Sequence, residues 1–320
     1  MDKLQPNEVN KPKKTIWNVL NFKYVCCQAF IIKMINLFDY INKSESYKKF
    51  IIDDLLFVEY KCVVEETKAG IWSDTNYFVF VTSGKKMWKS IYNEYIVEAG
   101  DSLFVKRGAN LVHQYFDEDY CALMIFISDD FIRNFMGRFS SIIRSESNEQ
   151  LMVDSVIRIR LDAYLEGYVN SLASYFGAQV LPDKNLLKLK FEELLLNIFT
   201  RPLHKEVARY LATLNRSQAM QLQQVMEENF AYNLKLEELA SLCNMSLSSF
   251  KRVFNSTYHS SPGKWLLEKR LSLSSYLLRS TDKNVNEVAF ESGFEDISNF
   301  IRSFKKKFNR TPLQYRAESA

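Results

Sequence analysis

Within residues 213–320 the chain carries one ordered set of signals twice, about 50 residues apart, and few folds accommodate such a duplication. In the first copy, Gln218 to Phe230 reads as an amphipathic helix. Leu236 to Cys243 follows as a two-turn helix with Leu236, Leu239, Ala240 and Cys243 on one face. Asn244-Met245 turns the chain, and Ser246 is a natural N-cap for a helix over Leu247 to Tyr258. On that helix Phe250, Val253 and Phe254 point inward, and Ser248, Ser249, Lys251, Arg252 and Asn255 point out. In the second copy Val285 to Ser292 is the short helix, and Gly293 stands where a left-handed residue makes the turn. Phe294 is an apolar anchor, and Ser298 to Phe308 is the second helix. Phe300, Ile301, Phe304 and Phe308 are expected inward; Asn299, Arg302, Ser303, Lys306 and Lys307 outward. Leu239-Ala240 corresponds to Val288-Ala289 and Phe254 to Phe304, with a helix over Trp265 to Ser280 between the copies. One such pattern could be an ordinary helical hairpin. Two in register, basic on matching faces and joined by one helix, specify a pair of helix-turn-helix units.

Charge points to the same end of the chain. Residues 213–320 hold 15 Lys+Arg against 11 Asp+Glu, while residues 1–212 are balanced at 27 and 27. From Ile297 to Ala317 there are six basic residues and no acid. A polyanion-binding surface therefore belongs at the C-terminus, although charge alone fits a solvated helix face equally well.

Upstream the periodicity is that of strands. Leu55 to Val64, Tyr77 to Thr82, Met87 to Tyr92, Ser102 to Lys106, Leu111 to Phe116 and Cys121 to Ser128 are short runs rich in Val, Phe and Tyr. Turns at Ser83-Gly84-Lys85, Glu98-Ala99-Gly100-Asp101 and Arg107-Gly108 separate several of them, which suggests a small antiparallel barrel or sandwich. After Asp129 the period becomes helical: Asp129-Asp130 caps a helix through Gly137, followed by helical spacing over Leu151 to Phe176 and Asn185 to Phe199. The last of these is apolar nearly all round, so the strand domain, a neighbouring helix or another subunit must cover it. The domain boundaries expected are an N-terminal extension over 1–45, with residues 1–33 outside the fold, a strand domain over 46–130, a helical dimerisation or linker region over 131–212, and the paired units over 213–320.

Several classes are excluded or disfavoured. With 47% hydrophobic residues, 9 Gly and 6 Pro in 320, the chain is neither disordered nor low-complexity. Five Cys (26, 27, 62, 121, 243) form no CxxC pair, which fits a reducing cytoplasm. The apolar stretch Ile16 to Phe38 is too interrupted by Asn, Gln and Lys to span a membrane or serve as a signal peptide.

On LEELASLCNMS, LSSFKRVF, SPGKWLLEKRL, Leu277-Leu278 and VNEVAFESGFEDISNFIRSFKKKFNRTPLQYR, residues 218–316 resemble the AraC/XylS family of bacterial transcription regulators. The resemblance implies an α+β chain. Its N-terminal half would be a cupin-like antiparallel β barrel or jelly roll with following helices. Its C-terminal domain would be all-α, with two helix-turn-helix units joined by a long helix. It implies that the recognition helices enter successive major grooves on one face of double-stranded DNA, one ~34 Å turn apart. By that resemblance Ser248, Ser249, Lys251 and Arg252 face DNA from the first unit, and Ile297, Asn299 and Arg302 from the second. Arg252 or Arg302 can fork onto guanine and Asn299 onto adenine, while Lys305, Lys306, Lys307 and Arg310 suit phosphates. Arg270 reads as structural. The family often closes each recognition helix with Gly; here His259 and Asn309 stand there, residues that tolerate left-handed backbone. The family also implies activation through RNA polymerase.

The strand half with GDSLFVKRG is similar to the cupin-like domain such regulators use for sensing, and KFEELLLNIF adds a likeness to the type III secretion activators. The effector, small molecule or regulatory protein, stays open, as does a homodimer. Phe57, Tyr60, Phe78, Phe80, Phe104 or Tyr115 could line an apolar pocket or fill a solid core, and the core is favoured. A partner-binding sensor without DNA binding is the alternative. A cupin enzyme is a weaker one, since only His113 lies in the strand region and a metal site needs two or three His with a carboxylate. No catalytic residue, metal or cofactor is expected.

Overall fold

The computed structural model describes residues 34–61, 68–115, 119–143, 154–178, 180–215 and 218–318. The expectation for residues 1–33 lies outside them. The chain opens with β1 (Met34–Asn36) and α1 (Leu37–Lys43), then β2 (Lys48–Ile52), β3 (Leu55–Lys61), β4 (Lys68–Ser73), β5 (Asn76–Ser83) and β6 (Lys85–Lys89). It continues through β7 (Glu94–Glu98), β8 (Ser102–Val105), β9 (Gly108–Gln114), β10 (Cys121–Ile127), α2 (Asp129–Arg138) and β11 (Val156–Ile159). Helices follow: α3 (Ala163–Gly177), α4 (Lys184–Thr200), α5 (Lys205–Ala212) and α6 (Gln218–Asn229). The last stretch holds α7 (Leu236–Leu242), α8 (Leu247–Tyr258), α9 (Pro262–Ser280), α10 (Val285–Glu291), α11 (Ile297–Phe308) and α12 (Pro312–Ala317).

The strands form two open sheets, ordered β1-β4-β9-β6-β7 and β11-β8-β5-β10-β3-β2. Of the barrel and jelly-roll alternatives, the two-layered arrangement with free edges is therefore the one adopted. All pairings are antiparallel except β1 with β4. Strand alternation explains why β5 and β10 read as unbroken apolar runs. Tyr77, Val79 and Val81 pack with Met124 and Phe126 against Ile71, Trp88, Val97 and Val112 of the other sheet. The alternate residues, Phe78, Phe80, Leu123 and Ile125, pack against α2, α3, α4 and α5. Both faces of the six-stranded sheet are covered, so no alternation of polar with apolar is left to see. Phe57 stacks on Phe191 of α4 at 3.9 Å between ring centroids.

The aromatic residues that could have lined one pocket are divided by the sheet. Phe57, Phe78, Phe80 and Phe104 lie on the helical side and Tyr60 on the other, both sides densely packed. Two further readings are corrected. Ser128, not Asp129-Asp130, caps α2, its hydroxyl accepting from Phe131 N at 3.1 Å. Within the helical spacing read over Leu151 to Phe176, Val156–Ile159 is a strand pairing with β8, because its apolar side chains meet the core on both sides of an open edge.

Asp129 turns inward instead. Its carboxylate accepts from Arg107 at 2.5 Å, Asn76 Nδ2 at 2.8 Å and Asn244 Nδ2 at 3.1 Å. Asn76 Oδ1 in turn accepts from Arg107 N at 3.0 Å and Tyr210 OH at 2.8 Å. Arg107 and Asp129 are 5% and 6% exposed, so neither charge can fall back on water. Breaking one side of such a pair costs about 3–5 kcal/mol. Asp129→Ala is therefore expected to lower unfolding free energy by about that much in urea denaturation. Asp130→Ala, which removes an exposed pair with Arg133, should change it by under ~1 kcal/mol.

Candidate nucleic-acid interface

The two expected units are both present, and their local hydrogen bonding repeats almost atom for atom. After α7 the chain turns at Asn244 (φ 54°), with Met245 N donating to Ala240 O at 3.0 Å; after α10 it turns at Gly293 (φ 88°), with Phe294 N donating to Ala289 O at 3.0 Å. Both are left-handed turns that close a helix by a six-to-one bond. Ser246 then caps α8 and Asp296 caps α11, accepting from Ser249 N at 3.3 Å and Ser298 N at 2.7 Å. Each recognition helix ends on a left-handed residue where the family often has Gly: His259 (φ 49°) and Asn309 (φ 56°). Ser261-Pro262 and Thr311-Pro312 start the next helix in each copy, with the hydroxyl as cap and Pro in the first turn.

Phe250 and Phe254 are the buried ridge of α8, packed with Leu239, Ala240, Leu242, Met226 and Leu266. Phe300 and Phe304 play that part in α11, packed with Val288, Ala289, Leu271 and Leu278. Leu266 at one end of α9 belongs to the first core and Leu271 with Leu278 to the second. One helix thus roots both units.

Arg270 of α9 makes the joint between them. Its Nε donates to Phe230 O at 2.8 Å and its NH2 group to Tyr232 O at 2.9 Å, satisfying carbonyls at the end of α6. A Cβ on Gly293 would stand 2.8 Å from Ala231 O and 2.9 Å from Arg270 Nε. The turn of the second unit is therefore pressed directly onto the end of the first unit's leading helix. Burial pulls the Arg270 guanidinium below its ordinary pKa, and Glu295 acts in the opposite direction.

The outward face matches expectation at most positions. Ser248, Lys251, Arg252, Asn299, Arg302, Lys305 and Lys306 are exposed, and Ser249 and Ile297 are half-buried. The Ser248 and Ser249 hydroxyls both lie 3.1 Å from Ser246 Oγ, and Asn299 Oδ1 accepts from Ser303 at 3.4 Å. Two departures stand out. Lys307 turns to α9, pairing with Glu268, so an acid distant in sequence does reach this basic helix, and Arg310, just past its end, pairs with Glu318. Ile301, expected inward, is 37% exposed.

Sequence reasoning missed the contact between the halves. Trp72 and Ala109 of the five-stranded sheet join the core of the first unit. Around them Asn229 Oδ1 accepts from Ala109 N at 2.7 Å, Lys106 pairs with Glu228 at 2.8 Å, and Ser241 donates to Asp74 at 3.2 Å. The Asn244 side chain, in the turn itself, is the residue that donates to Asp129. Arg107-Gly108 carried only a turn signal, and nothing local marks a cation destined for burial. The second unit touches the sheets through Lys89 and Glu291, 3.4 Å apart. Among the described residues no group of three His, Cys, Asp or Glu is placed to hold a metal.

Paired helix-turn-helix units on one helix, docked to a β-sandwich, define a DNA-binding transcription regulator. Residues 239–318 match the family described as helix-turn-helix domain, and residues 76–210 match the ExsA N-terminal regulatory domain. The chain is 27% identical over 254 residues to the thermoregulatory protein LcrF of Yersinia pestis, covering 79% of this chain and 91% of that one. It is 28% identical over 233 residues to the HTH-type transcriptional regulator ExsA of Pseudomonas aeruginosa, covering 73% and 83%. A solved structure of ToxT from Vibrio cholerae aligns with 82% of this chain and 98% of its own at 15% identity and a TM-score of 0.38. The two matches together give the chain an ExsA-type N-terminal domain ahead of an AraC-type helix-turn-helix domain, and along most of its length it is similar to AraC-family type III secretion activators. Its relatives are regulators and not enzymes.

The backbone geometry gives two expected outcomes in thermal or urea unfolding. Gly293→Ala should destabilise by more than ~2 kcal/mol, since a left-handed Ala costs ~1–2 kcal/mol before its Cβ meets Ala231 O. His259→Gly should stabilise by about 0.5–1 kcal/mol by relieving the left-handed C-cap.

Proposed function

We propose that the chain activates transcription by reading two adjacent major grooves with α8 and α11. The observation that carries this reading is the pair of repeat-related recognition helices, rooted on α9, each with an exposed basic face. Ser248, Ser249, Lys251 and Arg252 are the readers of the first unit; Ile297, Asn299 and Arg302 those of the second. Lys305 and Lys306 steer and grip phosphates. Lys307, with its ammonium on Glu268, holds α11 to α9 and contributes to the positive field from there.

Activation follows the relatives called virulence regulon transcriptional activators in Yersinia enterocolitica and implies contact with RNA polymerase in the cytoplasm. No helix among the described residues is long and apolar enough to cross a membrane. Residues 46–130 with 131–212 act as the regulatory half upon 213–320, with residues 1–45 as an extension. Docking of the sandwich on the first unit gives that half a physical route to the reading helices, whether its effector is a small molecule or a protein. Exposed Leu186 and Leu189 on α4 support a homodimer through that helix.

Genomic DNA affinity selection with sequencing tests this reading, using the full chain and the Arg252→Ala/Arg302→Ala double variant. The full chain should select a bipartite motif with halves about one helical turn apart, and the double variant should lose it. Arg302→Ala alone should cost about 1–3 kcal/mol at one base position, whereas Lys306→Ala should weaken all sequences alike and lower the salt slope by about one. Uniform loss in both single variants would contradict the division into readers and steerers.

A further inference from the structure

We propose that Ile301 reads the C5-methyl group of a thymine in the second half-site and is a specificity-determining residue of α11. The assignment rests on the groove-reading role proposed above. The helix buries Phe300 and Phe304, and Ile301 lies off that ridge, 37% exposed. At the repeat spacing its counterpart in α8 is Lys251, which is exposed. The position therefore points outward in both units, and packing does not demand an aliphatic side chain there.

Ile301 is the fifth residue of α11, within the N-terminal part of a recognition helix that meets base edges. Ile297, one turn earlier on the same side, is half-buried and extends the apolar surface; Arg302 and Lys305 flank it. In the major groove only thymine offers a methyl group among the four bases, and an aliphatic side chain is its match. A lysine there carries its ammonium toward a phosphate or an acceptor on a base edge instead. The two units thus carry different chemistry at one position, Lys251 against Ile301, which makes the bipartite site asymmetric and fixes which unit sits on which half.

The test uses the duplex that the full-length protein selects, with each thymine of the second half replaced singly by deoxyuridine, which removes only the methyl. Fluorescence anisotropy then gives Kd for each duplex. One replacement should weaken binding on the order of fourfold, the worth of one buried methyl-sized group. Ile301→Ala should weaken binding to the parent duplex to a similar degree, be indifferent to that replacement, and keep the salt slope unchanged. Ile301→Lys should be equally indifferent and steepen the slope. The assignment is overturned if no single deoxyuridine affects the unaltered protein, or if Ile301→Ala retains the sensitivity. If the protein selects no motif, the groove-reading role itself falls, an outcome distinct from a motif without methyl dependence.

Discussion

The carboxylate of Asp129 is where the separate parts of the molecule meet. It stands at the start of α2 and accepts from Arg107 between β8 and β9, from Asn76 at the start of β5, and from Asn244 in the turn of the first helix-turn-helix unit. A buried ion pair of this kind adds little net stability over a well-packed apolar alternative, yet loses much when half of it is removed. Its value is geometric. Three donors converge on one group, so the sheet, the helical layer and the reading domain have one mutual arrangement in which no buried polar atom of the cluster is stranded.

That arrangement treats the two units unequally. The first is packed on the five-stranded sheet through Trp72 and Ala109 and hydrogen-bonded through Asn229, Ser241 and Asn244. The second reaches the sheets by Lys89–Glu291 and otherwise depends on α9, with its turn seated on Arg270 and Ala231 O. The strand half thus holds the first unit through α6, α7 and the turn at Asn244, and the second through Lys89–Glu291, α9 and the Gly293 joint. The recognition faces of both helices stay exposed in this docked state.

Much of this was legible in the sequence because it is local. Ser246, Gly293, Asn309 and the Phe pairs of α8 and α11 act within a turn or two of themselves, and spacing alone locates them. The type III secretion-like likeness drawn from KFEELLLNIF agrees with the match to the ExsA N-terminal domain. What escaped was long-range. The strand over Lys68–Ser73 carries Ala and Gly where a strand signal wants β-branched residues, and Glu94–Glu98 has only Tyr-Ile-Val between two acids, too short a run to stand out. They are strands because β9 and β6 pair with them. Asp129 looked like a cap because helix starts favour acids; only the fold reveals Arg107 beside it. Ile301 looked like core because it is apolar at nearly the right phase, and the width of the Phe300–Phe304 ridge decides otherwise.

The most direct test of a rigid two-unit reading head is the response of affinity to the distance between half-sites. In duplexes carrying the selected motif, insertion of about five base pairs turns the second half to the opposite face of the helix. A head held by α9 and the Arg270–Gly293 joint cannot follow, so affinity should fall to that of one half-site alone. Affinity that survives the half-turn insertion would mean that the units are joined flexibly and would contradict a fixed reading geometry.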